Sequence, residues 1–486
     1  MTEALRRPAT RRQWWAGCVA VAVCAVVIFS FNVPRTGFHG DEAGWIPASL
    51  RAAEAFLAGD FRPSSWTGEG LSTYGNMNPP AGKLMIGVPL ILWQRAFYPA
   101  ESGAAVYHWN QSIENNIIHG RVPPLPLLYA ARSICAFYGA LNCVLVFVMA
   151  TWALRFEIGL IAAALTMLNG TFLNLATNAM TDMPYLLALL CAGLALMALL
   201  EARKPRRVLS LALLCGVCAA IAYSIKVAGL VLIGALFLAA MVLRPRATAP
   251  GMRWRVAAVA VFGAAAVLLP LLMNPFFWPD PARWDGAALR EEIQRVRTPG
   301  AGEELPGWGE IWAELAVAGH ARPLVSAHYP QIANLLKPLE MPLLFFRWKT
   351  LMRNQARTIV GEDKGPPGIP EILNRVAWSL ATFPGAALFL LAGLGALVFR
   401  AVHGWAREPG SAAIYPLLAF LVNLLFLMLF LVLPWPRYYL AAIVASNILV
   451  AVGLFLAGGL VRGKARAVYT FFREALLEPA AAPGEP

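Results

Sequence analysis

Blocks of roughly twenty consecutive apolar residues constrain this chain more than any other feature, because an α-helix of that length crosses about 30 Å of hydrocarbon. Of its 486 residues, 59% are hydrophobic and only 14% are charged. A soluble protein of this length could not bury so much apolar side chain. The pattern predicts an all-α polytopic membrane protein with about ten transmembrane helices. The predicted spans are 14–33, 125–151, 156–176, 183–200, 207–224, 226–243, 255–274, 376–400, 412–434 and 437–461.

The basic residues predict the orientation of these spans. The formal net charge is +13, and Lys and Arg cluster in short connections, as the positive-inside rule expects of cytoplasmic segments. With ten spans, every cluster falls on the same side, so both termini are predicted to be cytoplasmic and no nucleic-acid partner is expected. The clusters are Arg6, Arg7, Arg11 and Arg12; Arg203, Lys204, Arg206 and Arg207; Arg244, Arg246, Arg253 and Arg255; and Arg462, Lys464 and Arg466.

Two long loops are then predicted on the extracytoplasmic side, and we expect both to carry interfacial helices. The segment LMIGVPLILW in the first loop is too short to span, which favours an interfacial or re-entrant helix. The segment MPLLFFRWKTLMRNQAR in the second loop is apolar and then basic, and we expect this loop to cover the active site. The predicted division is a membrane core 1–274 with the first loop 34–124, a loop region 275–375, C-terminal helices 376–463 and a cytoplasmic tail 464–486.

Polar and charged residues gather at the extracytoplasmic ends of the predicted spans. Charge near an apolar span is costly, so each such residue needs a reason. Seven separate segments deliver them: Asp41 and Glu42 after the first span, Asn78 and Lys83 before the short apolar segment, Arg132 about two turns into the second span, Asp182 between the third and fourth, Lys226 between the fifth and sixth, Asn274 at the end of the seventh, and Arg437 with Tyr438 between the ninth and tenth.

Each of these residues alone has an ordinary explanation. Asp41 and Glu42 fit a solvated pair in a loop, and Asp182 fits a helix cap. The cations near span ends fit side chains that reach the lipid headgroups. Together, carboxylates and cations at one level predict a membrane-surface active site for an anionic, lipid-borne substrate.

The same motifs resemble the protein O-mannosyltransferases. That family carries an Asp-Glu pair in its first outer loop, here Asp41 and Glu42, followed by His-Pro-Pro-Leu-Gly-Lys, here Asn-Pro-Pro-Ala-Gly-Lys at 78–83. The segments AARSICAFYGALN and SIKVAGL resemble its Arg-containing second span and its Val-Lys-Trp-Val-Gly segment. NPFFWPDP and PWPRYYLAAI resemble junctions of the wider GT-C superfamily of polyprenyl-phosphate-sugar transferases, and the order along the chain agrees.

This sequence differs from the family pattern in two ways, which limit the residue roles and the acceptor that the resemblance implies. Asn78 stands where the family has His, so the role of that His does not transfer. The loop 275–375 is too short for the β-trefoil domain of eukaryotic members and is closer to bacterial relatives, including the lipid A aminoarabinose transferases. The acceptor is therefore left open among lipid, glycan and protein.

The resemblance implies an inverting glycosyltransferase on the extracytoplasmic face of a bacterial inner membrane, with a polyprenyl-monophosphate sugar donor and an acceptor hydroxyl. Asp41 matches the catalytic Asp and is expected to act as the base, supported by Glu42 and Asp182. Substrate-binding residues are Lys83, Arg132, Lys226, Arg437, Tyr438, Asn78 and Asn274.

Some alternatives stay open at this stage. A retaining route with Asp182 as the nucleophile is compatible with the residues. No cofactor or metal site is required, although a divalent cation between carboxylates fits. A transporter or flippase of a lipid-linked anionic sugar is the alternative function, but it calls for essential charges near the bilayer midplane, a depth that only Arg132 approaches.

Overall fold

The computed structural model describes residues 9–61, 80–97, 107, 111–226, 228–243, 251–273, 383–405, 412–430 and 436–477. Asn78, Asn274 and the whole of the predicted loop region 275–375 lie outside them, as does the side chain of Tyr438. The boundaries of the predicted domain division therefore stay predictions.

The described residues are organised as α-helices joined by short connections, which confirms the predicted all-α class. In chain order they are α1 (Arg11–Asn32), α2 (Gly40–Leu57), α3 (Ala81–Phe97), α4 (Ile113–Ile118), α5 (Leu125–Ala153), α6 (Phe156–Leu168), α7 (Gly170–Ala176), α8 (Asp182–Glu201), α9 (Pro205–Tyr223), α10 (Ala228–Leu243), α11 (Met252–Met273), α12 (Phe383–Trp405), α13 (Tyr415–Phe430) and α14 (Leu440–Leu477), with 3-10 turns at Val33–Arg35, Ala412–Ile414 and Pro436–Tyr439.

Helix length and composition make this a multi-pass membrane protein. Within the described residues, six helices are long and apolar enough to cross a bilayer, and the total is seven if the bent pair α6–α7 forms one span. Shorter apolar helices, Ala228–Leu243, Leu388–Val402 and Ala412–Phe426, coincide with three further predicted spans. Each predicted span thus meets a helix or a helix pair, and α14 continues as a helix well beyond the spanning segment Leu440–Leu460.

The span predicted at 156–176 is broken at Asn169. This residue is extended, with φ −64° and ψ 123°, and its Oδ1 accepts the backbone N–H of Phe172 at 3.1 Å. An Asn that caps a new helix in this way ends the preceding one, and the axes of α6 and α7 differ by 68°. Helix α7 then leads into a buried turn at 177–181.

Helix α2 is a feature that the sequence analysis did not predict, since its residues were assigned to the first loop. It packs against α3, the helix that was predicted around LMIGVPLILW. At their crossing, a Cβ on Gly87 would collide with the carbonyl oxygen of Ser49, so only glycine permits this approach. Apolar side chains of both helices, including Ile46 and Leu90, form one buried cluster with the start of α5. Helices α2 and α3 of the predicted first loop therefore pack as one unit against the start of α5.

Candidate active site

The first turn of α2 presents Asp41 and Glu42. His39 is the N-cap: its Nδ1 accepts the backbone N–H of Asp41 at 3.2 Å, and its own N–H donates to Glu42 Oε2 at 3.0 Å. This reciprocal capping box satisfies N–H groups that a helix start leaves unpaired. Two carboxylates in the first turn also interact favourably with the helix dipole.

Glu42 forms a buried ion pair with Arg132 of α5. Arg132 donates from Nε to Oε1 at 2.8 Å and from Nη2 to Oε2 at 2.6 Å, and both side chains are 0% exposed. The remaining N–H groups of Arg132 point to backbone carbonyls: Nη1 donates to Val33 and Thr36 at 3.2 and 2.7 Å, and Nη2 donates to Gly37 at 2.9 Å. All five N–H groups of the guanidinium therefore have acceptors.

The 177–181 turn joins this pair to the rest of the bundle. The backbone N–H of Ala179 donates to Glu42 Oε1 at 2.8 Å. The hydroxyl of Thr36 donates to that of Thr177 at 2.7 Å, and both residues are buried. The chain between α1 and α2 is thus held against both α5 and the 177–181 turn.

Asp41 makes a different, more open ion pair. Its Oδ2 accepts a hydrogen bond from Arg437 Nη1 at 2.9 Å, across a separation of 396 residues. The side chains are 16% and 22% exposed, and His39 Nδ1 lies 3.7 Å from the same oxygen. Arg437 belongs to the 3-10 turn Pro436–Tyr439 that precedes α14.

A third ion pair joins Asp182 to Lys226. Lys226 Nζ donates to Asp182 Oδ1 at 2.5 Å, and the side chains are 16% and 3% exposed, respectively. The ammonium also lies 5.5 Å from the ring centroid of Tyr185, within range of a cation–π interaction. Asp182 is the first residue of α8, and Lys226 follows α9.

The start of α3 packs against the turns that carry this third pair. The backbone N–H of Ala81 donates to the carbonyl of Ser224 at 2.9 Å. A Cβ on Gly82 would lie 2.9 Å from side-chain carbons of both Thr181 and Ile225, so the contact is tight.

Lys83 follows directly and is only 2% exposed. Burial lowers its pKa to about 8 from the ordinary value of 10.5, because a low-dielectric environment disfavours the ammonium form.

These contacts bring together the seven charged residues that the sequence analysis singled out. The elements that carry Asp41, Glu42 and Arg132 meet the 177–181 turn, Asp182 follows that turn, and Lys83 follows the segment packed on it. Within the described part of the chain, no group of three or more His, Cys, Asp or Glu side chains is arranged to hold a metal ion. The proposed divalent cation stays a prediction.

His39 was missed by the sequence analysis, although a signal for it existed. Its spacing of three residues from Glu42 is that of a capping box. Histidine is an uncommon N-cap, however, and it can accept the Asp41 N–H through Nδ1 only when that nitrogen carries no proton.

Comparison with known proteins gives one match to a family. Residues 105–274 match the sequence model of the family described as Dolichyl-phosphate-mannose-protein mannosyltransferase. Arg132, Asp182 and Lys226 fall within the matched segment, whereas Asp41 and Arg437 lie outside it. No curated protein sequence matches the chain.

Three solved structures show distant likeness. The protein O-mannosyltransferase Pmt1–Pmt2 complex of S. cerevisiae, bound to the sugar donor, is 13% identical with a TM-score of 0.39, over 61% of this chain and 35% of that chain. The oligosaccharyltransferase AglB of Archaeoglobus fulgidus is 14% identical with a TM-score of 0.47, over 98% and 53%. ArnT of Cupriavidus metallidurans is 14% identical with a TM-score of 0.36, over 92% and 78%.

The chain thus spans about half, or less, of the length of the first two of these proteins. At such low similarity they do not decide function. Over residues 105–274 the chain is similar to the dolichyl-phosphate-mannose-protein mannosyltransferases, a family of membrane glycosyltransferases, and the resemblance that its motifs indicated is confirmed.

Proposed function

We propose that this protein is a membrane-bound inverting glycosyltransferase that moves a sugar from a polyprenyl-monophosphate donor to an acceptor hydroxyl. The single observation that carries the proposal is the partly exposed ion pair of Asp41 and Arg437, with Asp41 in the first turn of α2. A reachable base next to reachable cations is what this transfer needs.

Three of the four predicted cations remain suited to the donor phosphate. Arg132 has its five N–H groups engaged and is 0% exposed, so we assign it a positioning role. Lys83, Lys226 and Arg437 are left to neutralise the phosphate as it departs.

Asp41 is better suited than Glu42 to act as the base. Both oxygens of Glu42 already accept two hydrogen bonds each, from Arg132 and from the backbone of His39 and Ala179. In the proposed step, the bond from the anomeric carbon to the phosphate oxygen breaks, a bond to the acceptor oxygen forms, and the acceptor proton passes to Asp41. Asp182, 3% exposed and paired with Lys226, is more suited to hold that lysine than to act as a nucleophile, which supports inversion.

The orientation of α9 supports an extracytoplasmic site. Arg206 and Arg207 lie in its first turn, and Lys226 follows its last residue, Tyr223. A helix of 19 residues separates these ends by about 28 Å. If the basic end is cytoplasmic, as the positive-inside rule expects, the cluster faces the other side, in a bacterial inner membrane.

Reconstitution tests this proposal. Purified protein in proteoliposomes receives a radiolabelled polyprenyl-phosphate sugar and an envelope extract as a source of acceptors, and we expect label to move to an acceptor. Asp41→Asn removes this transfer, whereas Glu54→Gln, at an exposed position of the same helix, leaves it intact. Label that crosses the membrane still attached to its lipid, with no transfer product, would favour the transporter alternative instead.

Deletion of the gene identifies the acceptor. We expect mass spectrometry of envelope glycolipids, glycans and glycoproteins to reveal one structure that has lost one sugar. An unchanged envelope in the deletion strain, under conditions where the protein is expressed, would argue against transfer to any of these acceptors.

A further inference from the structure

The contact between Asp41 and Arg437 joins two groups that the proposed reaction needs separately. Asp41 must take a proton from the acceptor, and Arg437 must bind the donor phosphate. Arg437 Nη1 donates to Asp41 Oδ2 at 2.9 Å. The proposed base and the proposed phosphate-binding cation are therefore bound to each other.

We propose that the donor phosphate competes with Asp41 for Arg437, so that donor binding releases the base. This inference rests on the proposed function and adds a regulatory step to the same site. Until donor arrives, Arg437 holds the carboxylate, and the base becomes available only when a sugar is present to be transferred.

The exposure of the pair makes such exchange physically reasonable. The side chains are 16% and 22% exposed, so water and an incoming anion can reach both charges, and a displaced partner is not left fully desolvated. The pair of Glu42 and Arg132 contrasts with this, because both are 0% exposed and removal of either partner would leave an uncompensated buried charge.

Geometry and charge both disfavour an arrangement in which Arg437 binds the donor phosphate and Asp41 at the same time. A phosphate offers oxygens that match the planar fork of a guanidinium in two parallel hydrogen bonds. If the phosphate and Asp41 both remained on Arg437, two anions would lie close together in a partly desolvated site and repel each other. In an in-line displacement, moreover, the base faces the acceptor on the side of the sugar opposite the leaving phosphate.

Binding of a polyprenyl phosphate without a sugar tests the competition directly. Calorimetry in detergent compares the wild-type protein with Asp41→Asn, in which the charge of the Asp41 carboxylate on Arg437 is removed. We expect the variant to bind the lipid phosphate about fivefold tighter, although it is inactive, because a partly exposed ion pair is weak. Asp41→Ser serves as a second variant should Asn disturb the fold, and circular dichroism with thermal unfolding checks that each protein is intact.

A double-variant cycle separates competition from general repulsion. In an Arg437→Gln background, Lys83 and Lys226 still attract the phosphate, so binding weakens but stays measurable. Competition for Arg437 predicts that Asp41→Asn no longer tightens binding in this background. Equal affinity of the wild type and Asp41→Asn, or the same tightening with Gln at 437, would overturn the inference. Failure of the intact wild-type protein to bind any polyprenyl phosphate would instead overturn the proposed function.

Discussion

Asp41 and Glu42 are neighbours in one helical turn, but the regions around them differ in burial, partners and accessibility. Glu42 is 0% exposed and accepts hydrogen bonds from Arg132 and from two backbone N–H groups, those of His39 and Ala179. Asp41 is 16% exposed, and its ion-pair partner Arg437 is 22% exposed. The same helical turn therefore contains a carboxylate that stabilises the structure and a carboxylate that solvent can reach. Charge alone therefore does not identify a catalytic group, because two neighbouring carboxylates can differ in burial as much as these do.

Asp41→Asn should have the largest effect on activity and almost none on stability. Loss of a general base costs about 10²- to 10⁴-fold in rate, while Asn keeps the shape and a hydrogen bond to Arg437. The measurement is the rate of sugar transfer in proteoliposomes together with the unfolding temperature in detergent. A variant that keeps more than a tenth of the wild-type rate would exclude Asp41 as the base.

Arg132→Met should have the largest effect on stability, because it leaves Glu42 buried without its counter-charge. Breaking a buried pair in this way costs about 3 to 5 kcal/mol, so the yield of folded protein from the membrane should fall sharply. Arg437→Gln is the matched control: it removes the same charge at the open pair and should cost at most about 1 kcal/mol. Equal stability of these two variants would show that the two regions do not differ as described.

The pH dependence of donor binding tests the role of the buried Lys83. Its folded pKa of about 8 means that donor binding should weaken as pH rises above about 8, since the neutral amine no longer attracts phosphate. Lys83→Arg keeps its charge and should bind donor equally from pH 7 to pH 10. A wild-type protein whose donor affinity is flat over this range would contradict the lowered pKa.

The contribution of Lys83 to stability should rise with pH over the range in which donor binding weakens. The folded lysine releases its proton near pH 8, whereas the unfolded lysine keeps it until about 10.5. The unfolded state therefore binds more protons between these values, and the contribution of Lys83 to stability rises with pH. Unfolding at pH 7.5 and pH 9.5, compared with Lys83→Met, isolates this contribution.

His39 should have a smaller effect than Arg132, because it contributes to the helix cap rather than to a fully buried ion pair. His39→Ala removes the acceptor for the Asp41 N–H and should cost about 0.5 to 2 kcal/mol. His39→Asn supplies another good cap and should restore most of that loss. If Ala and Asn behave identically, the cap does not contribute to holding the first turn of α2.

Much of the fold could be predicted from the sequence, since apolar blocks long enough to span a bilayer leave few alternatives. The convergence of Asp41, Asp182, Lys226 and Arg437 could also be anticipated, because residues that follow alternate spans lie on one side. The positioning role of Arg132 could not be predicted, because its acceptors include three backbone carbonyls, which a pattern of side chains does not reveal.

Helix α2 escaped prediction for a related reason. Its residues include Pro47, and its apolar face becomes apparent only against α3, whose Gly87 permits the close crossing. Local propensity is a weak guide where tertiary packing supplies most of the stability of a helix.

The backbone acceptors of Arg132 also affect how the site can evolve. Because the guanidinium binds the main chain at Val33, Thr36 and Gly37, side chains along that connection can drift without breaking these contacts. Positions 42 and 132 have no such freedom, since a change at either one leaves the charge of the other buried and uncompensated. Among descendants of this gene, we expect these two positions to be inherited as a unit while the connection around them diversifies.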